Sequence, residues 1–288
     1  MTASPTIRLL HPGDEAALES FLRPLTDTSM FLRSNSRSAG LVDRGEPGQG
    51  TYLAAFEGDA ITGVVAQFWQ GNLGLQAPDD LAALLRELPR HALRPIAGLT
   101  GPWSQVAHAR ALLGLEQTPT KLEVREALFA LPLSQLRLPE ALARGDVRCR
   151  LATPADLPAL AQLRAEFLVE AIGEQPGPAL DRQARDAVEG HAAGDNLFLL
   201  EGRNGQIVAT SAFNARLPDA VQIGGVYTPP ALRSHGYGRA VTAGSLLLAR
   251  EAGISRAVLF THEQGPARRA YEAIGFQLIG DYGLVLFR

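Results

Sequence analysis

One stretch of the sequence combines residue types that favour binding of a phosphate-bearing ligand. Arg233, Gly236 and Gly238 form the pattern Arg-x-x-Gly-x-Gly between an apolar run at 221–227 and a helical pattern that continues to about Glu251. Glycine lets a backbone come close to a ligand, and the first turn of a helix offers unpaired N–H groups at its positive end. A strand, a glycine-bearing turn and a helix start therefore predict an anion site suited to a pyrophosphate.

A second pattern lies about thirty residues further along the chain. A strand is predicted at 257–261, and Gly265 and Pro266 lead from it into a helical segment that reads ARRAYEAIGF over residues 267–276. Arg-x-x-Gly-x-Gly alone is typical of ordinary turns. The interpretation therefore depends on the order and spacing of the two patterns together.

On these two motifs, residues 147–288 resemble the GNAT superfamily of N-acetyltransferases. The resemblance implies an α+β fold with αβα layers, in which a mixed, mostly antiparallel sheet is flanked by helices. It implies acetyl-CoA as co-substrate and transfer of the acetyl group to a primary amine of a small molecule or peptide. A catalytically idle acyl-CoA sensor that recognises a partner is the alternative.

The resemblance assigns roles to residues of this chain. The backbone of Val226 and Thr228 is expected to pair with the pantetheine arm of CoA like an added strand. The amides of residues 234–239 are expected to hold the pyrophosphate. Tyr271 is expected to protonate the departing thiolate or, alternatively, to pack as a ring beneath the cofactor. The expected cofactor-binding residues are Val226, Tyr227, Thr228, Arg233, Ser234, His235, Gly236, Tyr237, Gly238, Arg239 and Arg268.

The sequence departs from the family pattern in two places. Gly265 stands before Pro266, where the family often has asparagine, so one hydrogen bond to the pantetheine is missing. Tyr227 and Thr228 lengthen the segment between the strand and Pro230. Both departures affect the register of the pantetheine rather than the expectation that CoA binds.

A faint internal repeat predicts two domains of one topology. Arg8, Leu9, Pro12, Asp14, Ala17 and Leu18 recur at one constant offset as Arg150, Leu151, Pro154, Asp156, Ala159 and Leu160. Hairpin patterns at 52–68 and 197–213 form a further equivalent pair, as do strand-then-helix patterns at 95–115 and 256–276. In the second copy, Thr153 with Asp156 three residues later is typical of a helix start.

The two copies divide the chain at about residues 139–146, which predicts domains at 1–140 and 146–288. A chain of 288 residues is also longer than one hydrophobic core usually supports. In the first copy the Arg-x-x-Gly-x-Gly loop is missing, and Arg110 stands where the second copy has Tyr271. The first domain is therefore expected to be a degenerate GNAT-like domain that binds no CoA and covers a sheet edge or shapes the acceptor cleft.

Attack by an amine on a thioester requires a base, because an amine with a pKa of roughly 10 is protonated at neutral pH. Candidate bases are Glu166, Glu170, Glu201, His262 and Glu263, each of which also fits a solvated surface group. His235 is expected to contribute only its amide to the loop. The polar segment 31–35 is predicted to be a structural loop rather than a contact to the acceptor.

Composition narrows the classes of partner. The net charge of −3 comes from interspersed acids and bases, so no nucleic acid is expected. The single cysteine, Cys149, excludes an internal disulfide framework and is predicted to be a buried strand residue. His191 and the other histidines lack metal-ligand spacing, so no metal is expected. No leader pattern or run of eighteen apolar residues is present, which favours a cytoplasmic monomer or homodimer without a membrane partner.

Overall fold

The computed structural model describes residues 5–288, which contain twelve strands and nine α-helices. The strands are β1 (Thr6–Leu9), β2 (Gly50–Glu57), β3 (Ala60–Phe68), β4 (Asn72–Gln76), β5 (Gly98–Pro102), β6 (Thr120–Pro132), β7 (Arg148–Leu151), β8 (Leu197–Glu201), β9 (Ile207–Arg216), β10 (Ala220–Tyr227), β11 (Arg256–Thr261) and β12 (Gln277–Phe287). The helices are α1 (Glu15–Leu22), α2 (Thr26–Ala39), α3 (Leu81–Glu87), α4 (Trp103–Leu112), α5 (Glu140–Ala143), α6 (Leu157–Phe167), α7 (Pro178–Ala193), α8 (Tyr237–Glu251) and α9 (Pro266–Ala273).

The described chain forms two compact units. The first comprises the chain up to Ala127 together with Gly280–Arg288, and the second comprises Leu128–Ile279. These units differ from the predicted domains because β6 and β12 each supply residues to both. The division of the sequence at 1–140 and 146–288 stays a prediction about the two copies of the repeat.

The first unit is built on a mixed, mostly antiparallel sheet. Its strand order is β1-β2-β3-β4-β5-β12-β6, with β4 and β5 parallel. Successive residues of a strand point to opposite faces, so Tyr52 and Val64 join one apolar cluster while Leu53 and Val65 join another. Helices α1 and α2 cover the first face and α3 and α4 the second. The layers are therefore αβα.

The second unit repeats this architecture. Its strand order is β6-β11-β10-β9-β8-β7, with β10 and β11 parallel. On β8, Leu199 packs in a cluster with Leu160 of α6, whereas its neighbour Leu200 packs in a cluster with Val241 of α8. The predicted α+β class, with helices on both faces of a mixed sheet, is confirmed.

The sequence repeat has a structural counterpart at the start of each copy. Arg8 pairs with Asp14 and Arg150 pairs with Asp156, each through an Nη1 to Oδ2 distance of 2.7 Å. The same aspartate oxygen accepts the backbone N–H three residues earlier, at 2.8 Å in both copies. Thr153 also forms a capping box with Asp156, as its sequence predicts.

The prediction of a loop at 31–35 was wrong, because this segment lies inside α2. Arg33 is 2% exposed, and its guanidinium reaches Thr26 Oγ1 at 2.8 Å and the carboxylate of Glu19. Ser36 donates its hydroxyl to the carbonyl three residues earlier. The polar side chains of this segment form hydrogen bonds within α2 or to α1. A helix is predicted from regularly spaced apolar residues, and the segment has polar residues in their place.

Candidate active site

The site begins where β10 and β11 separate. The described pairing of the two strands joins Ala220–Gln222 to 256–258, and β10 then continues to Tyr227 with its pairing on the β9 side. The register to β9 shifts between Gly224 and Tyr227, where Gly225 has φ +58°. An extra residue on one strand twists it away from its neighbour. The edge of β10 that faces β11 is therefore open to a ligand.

The predicted anion loop leads from this open edge into α8. Ser234 has φ +67° and Gly236, the residue before the helix, has φ +77°. Left-handed residues within a turn direct neighbouring N–H groups towards a common point, which suits an anion. For Ser234 that conformation costs roughly 1–2 kcal/mol. Glycine at 236 adopts it freely, which explains the first glycine of the motif.

A cleft of about 1040 Å³ connects the open strand edge to the loop. The structure brings ten of the expected cofactor-binding residues together in its walls: Val226, Tyr227, Thr228, Arg233, Ser234, His235, Gly236, Tyr237, Gly238 and Arg239. The remaining lining residues are Phe167, Glu170, Ala171, Thr261, His262, Gly265, Ala267, Arg269 and Ala270.

Two predicted residues of α9 lie elsewhere. Arg268 pairs with Glu272 at 2.8 Å, and its guanidinium stacks over Phe129. Among the described residues, the arginine of α9 that lines the cleft is Arg269. Tyr271 is 8% exposed and packs edge-on against Phe276, with ring centroids 6.1 Å apart. Tyr271 is the residue after Ala270, which lines the cleft, but it is not itself a lining residue. Its role as an acid stays a prediction.

Arg233 connects the anion loop to the segment after α6. Its Nη2 lies 2.6 Å from Oε2 of Glu170, and its Nε donates to the carbonyl of Thr228 at 3.0 Å. Glu170 belongs to a π-helical segment, Leu168–Ile172, a feature that is frequent at functional sites. The hydrogen bond from Arg233 lowers the pKa of Glu170, which makes this carboxylate a poor base.

Glu166 lies beside the same cleft wall. The phenol of Tyr227 donates to Oε2 of Glu166 at 3.3 Å. The pKa of that phenol is raised, mainly by burial and to a smaller extent by the nearby carboxylates. By contrast, Glu201 of β8, two strands away from β10, is bound at 2.7 Å to Arg150 of the edge strand β7. Of the five candidate bases, Glu170 and His262 line the cleft, and Glu166 contacts its wall through Tyr227.

The remaining predicted features are structural. Cys149 is a half-buried residue of β7 whose Sγ lies 3.8 Å from the carbonyl oxygen of Val241. Burial raises the pKa of its thiol to about 12, so it is not a reactive thiolate. Across residues 5–288, no three His, Cys, Asp or Glu side chains cluster as a metal site would require. None of the helices in that range has the length and apolar character needed to cross a membrane.

Comparisons with known proteins agree with this geometry. Residues 158–276 match the family model described as acetyltransferase (GNAT) family. A tandem GNAT protein from the clavulanic acid biosynthesis pathway superposes with TM-score 0.56 at 11% identity, covering 98% of this chain and 97% of its own. A Drosophila protein superposes with TM-score 0.68 at 12% identity, covering 99% of both chains. No curated protein sequence matches the chain.

A third structure is the glucosamine N-acetyltransferase region of a fungal multi-domain β-N-acetylglucosaminidase. It superposes with TM-score 0.58 at 12% identity over 100% of this chain, which spans 38% of that protein. At such identities the superpositions establish the fold alone. The family model thus matches residues 158–276, and the superpositions show that the chain has the fold of GNAT-family structures.

Proposed function

We propose that the second unit transfers an acetyl group from acetyl-CoA to a primary amine of a small molecule or peptide. The observation that carries the proposal is the continuous cleft from the open edge of β10 to the first turn of α8. One end offers a strand edge to an extended amide-bearing arm, and the other offers N–H groups to a pyrophosphate. CoA has these two parts in this order.

The charges of the cleft fit CoA as well. Its lining residues include the arginines Arg233, Arg239 and Arg269 and a single carboxylate, Glu170, which is already paired with Arg233. Two cationic side chains therefore remain to attract the phosphates. A methyl group added at Gly238 would point towards Thr228 Oγ1, 3.5 Å away, so glycine keeps the space between loop and strand open.

The chemical step requires one proton acceptor and one proton donor. The amine nitrogen attacks the thioester carbonyl carbon, a C–N bond forms, and the C–S bond then breaks to release the CoA thiolate. We assign Glu166 as the acceptor of the amine proton, because Glu170 and Glu201 are held by arginines. Tyr271 is our candidate for returning a proton to the thiolate, so that CoA leaves as the thiol and the product is an amide.

Thiol release tests the proposal. Purified protein is incubated with acetyl-CoA and a panel of amines, and free thiol and acetylated product are measured together. We expect thiol release that depends on the amine and equals the product formed. Gly236→Glu serves as the control, since it is expected to lose the cofactor. If wild-type protein binds CoA but releases no thiol with any amine class, the enzymatic assignment fails.

A further inference from the structure

A positively charged side chain beside the cleft has no role in the binding of CoA described above. Arg164 lies on α6, four residues after Leu160 and three before Phe167. This spacing places it on the same side of the helix as those two residues, the side that faces the sheet. A charged residue on an apolar stripe is costly unless it is paired. The Nε atom of Arg164 is inaccessible to solvent and has no hydrogen-bond partner among the described residues.

Among the described residues, no carboxylate pairs with the guanidinium of Arg164. Its guanidinium lies 4.9 Å from the ring centroid of Phe167. It lines a small cavity of about 20 Å³ whose walls, within the described part of the chain, contain no carboxylate. Burial lowers the pKa of Arg164, as expected for a cation without a counter-ion. A cavity of this size holds roughly one water molecule or a single small polar group.

The position of the cavity connects it to the reaction. Phe167 and Tyr227 line both this cavity and the large cleft. Nη1 of Arg164 would lie 3.2 Å from a Cβ atom at Gly225, the residue at the bulge of β10. Val226, the next residue, belongs to the strand edge assigned to the pantetheine. A group bound by Arg164 therefore lies next to the position expected for the thioester.

We infer that Arg164 binds a carboxylate of the acceptor, so that the acceptors are amino acids or derivatives that keep a free carboxylate. A guanidinium binds a carboxylate through two parallel hydrogen bonds. Glu166 accepts a hydrogen bond from the phenol of Tyr227, and Tyr227 also lines the cavity of Arg164, so the amine and the carboxylate of one small molecule can each meet a partner near Tyr227. This inference rests on the proposed amine acetylation.

Matched acceptors test it. Each of several amino acids is paired with its carboxamide, which keeps the amine and removes the negative charge. We expect wild-type kcat/KM to be about 10- to 100-fold higher for the acid than for the amide, as for a charged hydrogen-bonded pair. In Arg164→Gln this ratio is expected to fall towards one, with Arg164→Lys intermediate. Arg185→Gln on the exposed face of α7 is the control and keeps the wild-type ratio.

The outcomes separate this inference from the proposed function. Wild-type acetylation of amines without preference for the acid would overturn the role of Arg164 while leaving the enzyme standing. An unchanged ratio in Arg164→Gln would do the same. Acetyl-CoA affinity and the unfolding midpoint are measured for each variant, and Arg164→Lys carries the test if Arg164→Gln does not fold. Absence of amine acetylation by wild type defeats the proposed function itself.

Discussion

The backbone N–H of Ala77 donates to Oε1 of Gln105 at a distance of 2.7 Å. In the first unit, β4 and β5 pair over Asn72–Gly74 and 98–100, and β4 then runs on to Gln76, which Ala77 follows. The equivalent stretch of β10 in the second unit has an open edge. The side chain of Gln105, from α4, satisfies the amide that an added strand would need.

We therefore expect one CoA per chain. The first unit lacks the Arg-x-x-Gly-x-Gly loop, and its strand edge is already bonded by Gln105. Gln105→Ala is expected to leave the stoichiometry at one, because freeing the edge does not create a pyrophosphate site. Calorimetric titration of both proteins with CoA measures the number of sites. Two sites of similar affinity in wild type would show that the first unit is not degenerate.

Substitutions at Gly236 separate charge from backbone strain in the anion loop. Gly236 has φ +77°, a conformation that asparagine tolerates better than other residues. Gly236→Glu places a negative charge at the positive end of α8, so CoA binding is expected to be lost. Gly236→Asn keeps the charge unchanged and is expected to lose much less affinity. Equal losses in the two variants, measured by calorimetry, would mean that backbone strain rather than charge controls binding.

The sequence predicted the turn before α8 and the start of α6 because their signals are local. Gly236 marks the turn, and Thr153 with Asp156 marks the helix start, within a few residues each. The pairing of β12 with β5 was not predictable in this way. In the first pair of its register, Tyr282 lies opposite Pro102, 180 positions earlier in the chain. Strand pairing uses backbone hydrogen bonds that almost any strand can form, so no local sequence pattern indicates which distant strand β12 pairs with.

Helical phase explains two residues that sequence reasoning misplaced or missed. Neighbouring residues on a helix point about 100° apart, so α9 directs Arg269 to the cleft and Arg268 towards Phe129. Arg164 was missed although a signal existed. It occupies a position on the apolar stripe of α6 that contains Leu160 and Phe167, where a charged residue is unusual.

The two aspartates of the repeat provide a matched stability test. Asp156 is 12% exposed and its partner Arg150 26%, against 21% and 43% for Asp14 and Arg8. Asp156 also completes the capping box with Thr153. Asp156→Asn is expected to reduce the free energy of unfolding by about 1–2 kcal/mol, and Asp14→Asn by less. Hydrogen exchange in α6 and α1 reports on each copy separately, and equal losses would contradict the burial argument.

The same pair predicts a dependence on pH. The hydrogen bond from Arg150 lowers the pKa of Asp156 below its ordinary value of about 3.8. A group with a lowered folded pKa stabilises the fold above its unfolded pKa and loses that contribution as the pH falls towards the folded value. Wild type is therefore expected to lose stability below about pH 4 more steeply than Asp156→Asn. Urea unfolding at several pH values measures the difference, and parallel curves would contradict it.

The proton acceptor can be identified by comparing two substitutions. Glu166→Gln keeps a hydrogen-bond acceptor for Tyr227 but removes the base, so kcat is expected to fall by about 10²–10⁴-fold. The fall should lessen as the pH rises and more amine is unprotonated. His262→Gln, at a residue that lines the cleft after β11, is expected to retain turnover. Loss of turnover in His262→Gln with retention in Glu166→Gln would assign the histidine instead.

Tyr271 is the last test, because its two proposed roles make different predictions for one substitution. Tyr271→Phe keeps the ring that packs edge-on against Phe276 and removes the hydroxyl. A role as acid predicts an almost unchanged affinity for CoA with turnover reduced by about 10²–10⁴-fold. A packing role predicts almost no change in either quantity.

The size of the loss depends on the leaving group. A thiol with a pKa of roughly 8.5 leaves tolerably as the thiolate, so we expect the loss of turnover near the lower end of that range. Turnover is measured at saturating acetyl-CoA with a confirmed acceptor, and the unfolding midpoint of Tyr271→Phe is compared with that of wild type. Turnover within about twofold of wild type would exclude an essential acid. Because the ring would still pack against Phe276, that result would leave the cleft as described and its proposed CoA site unaffected.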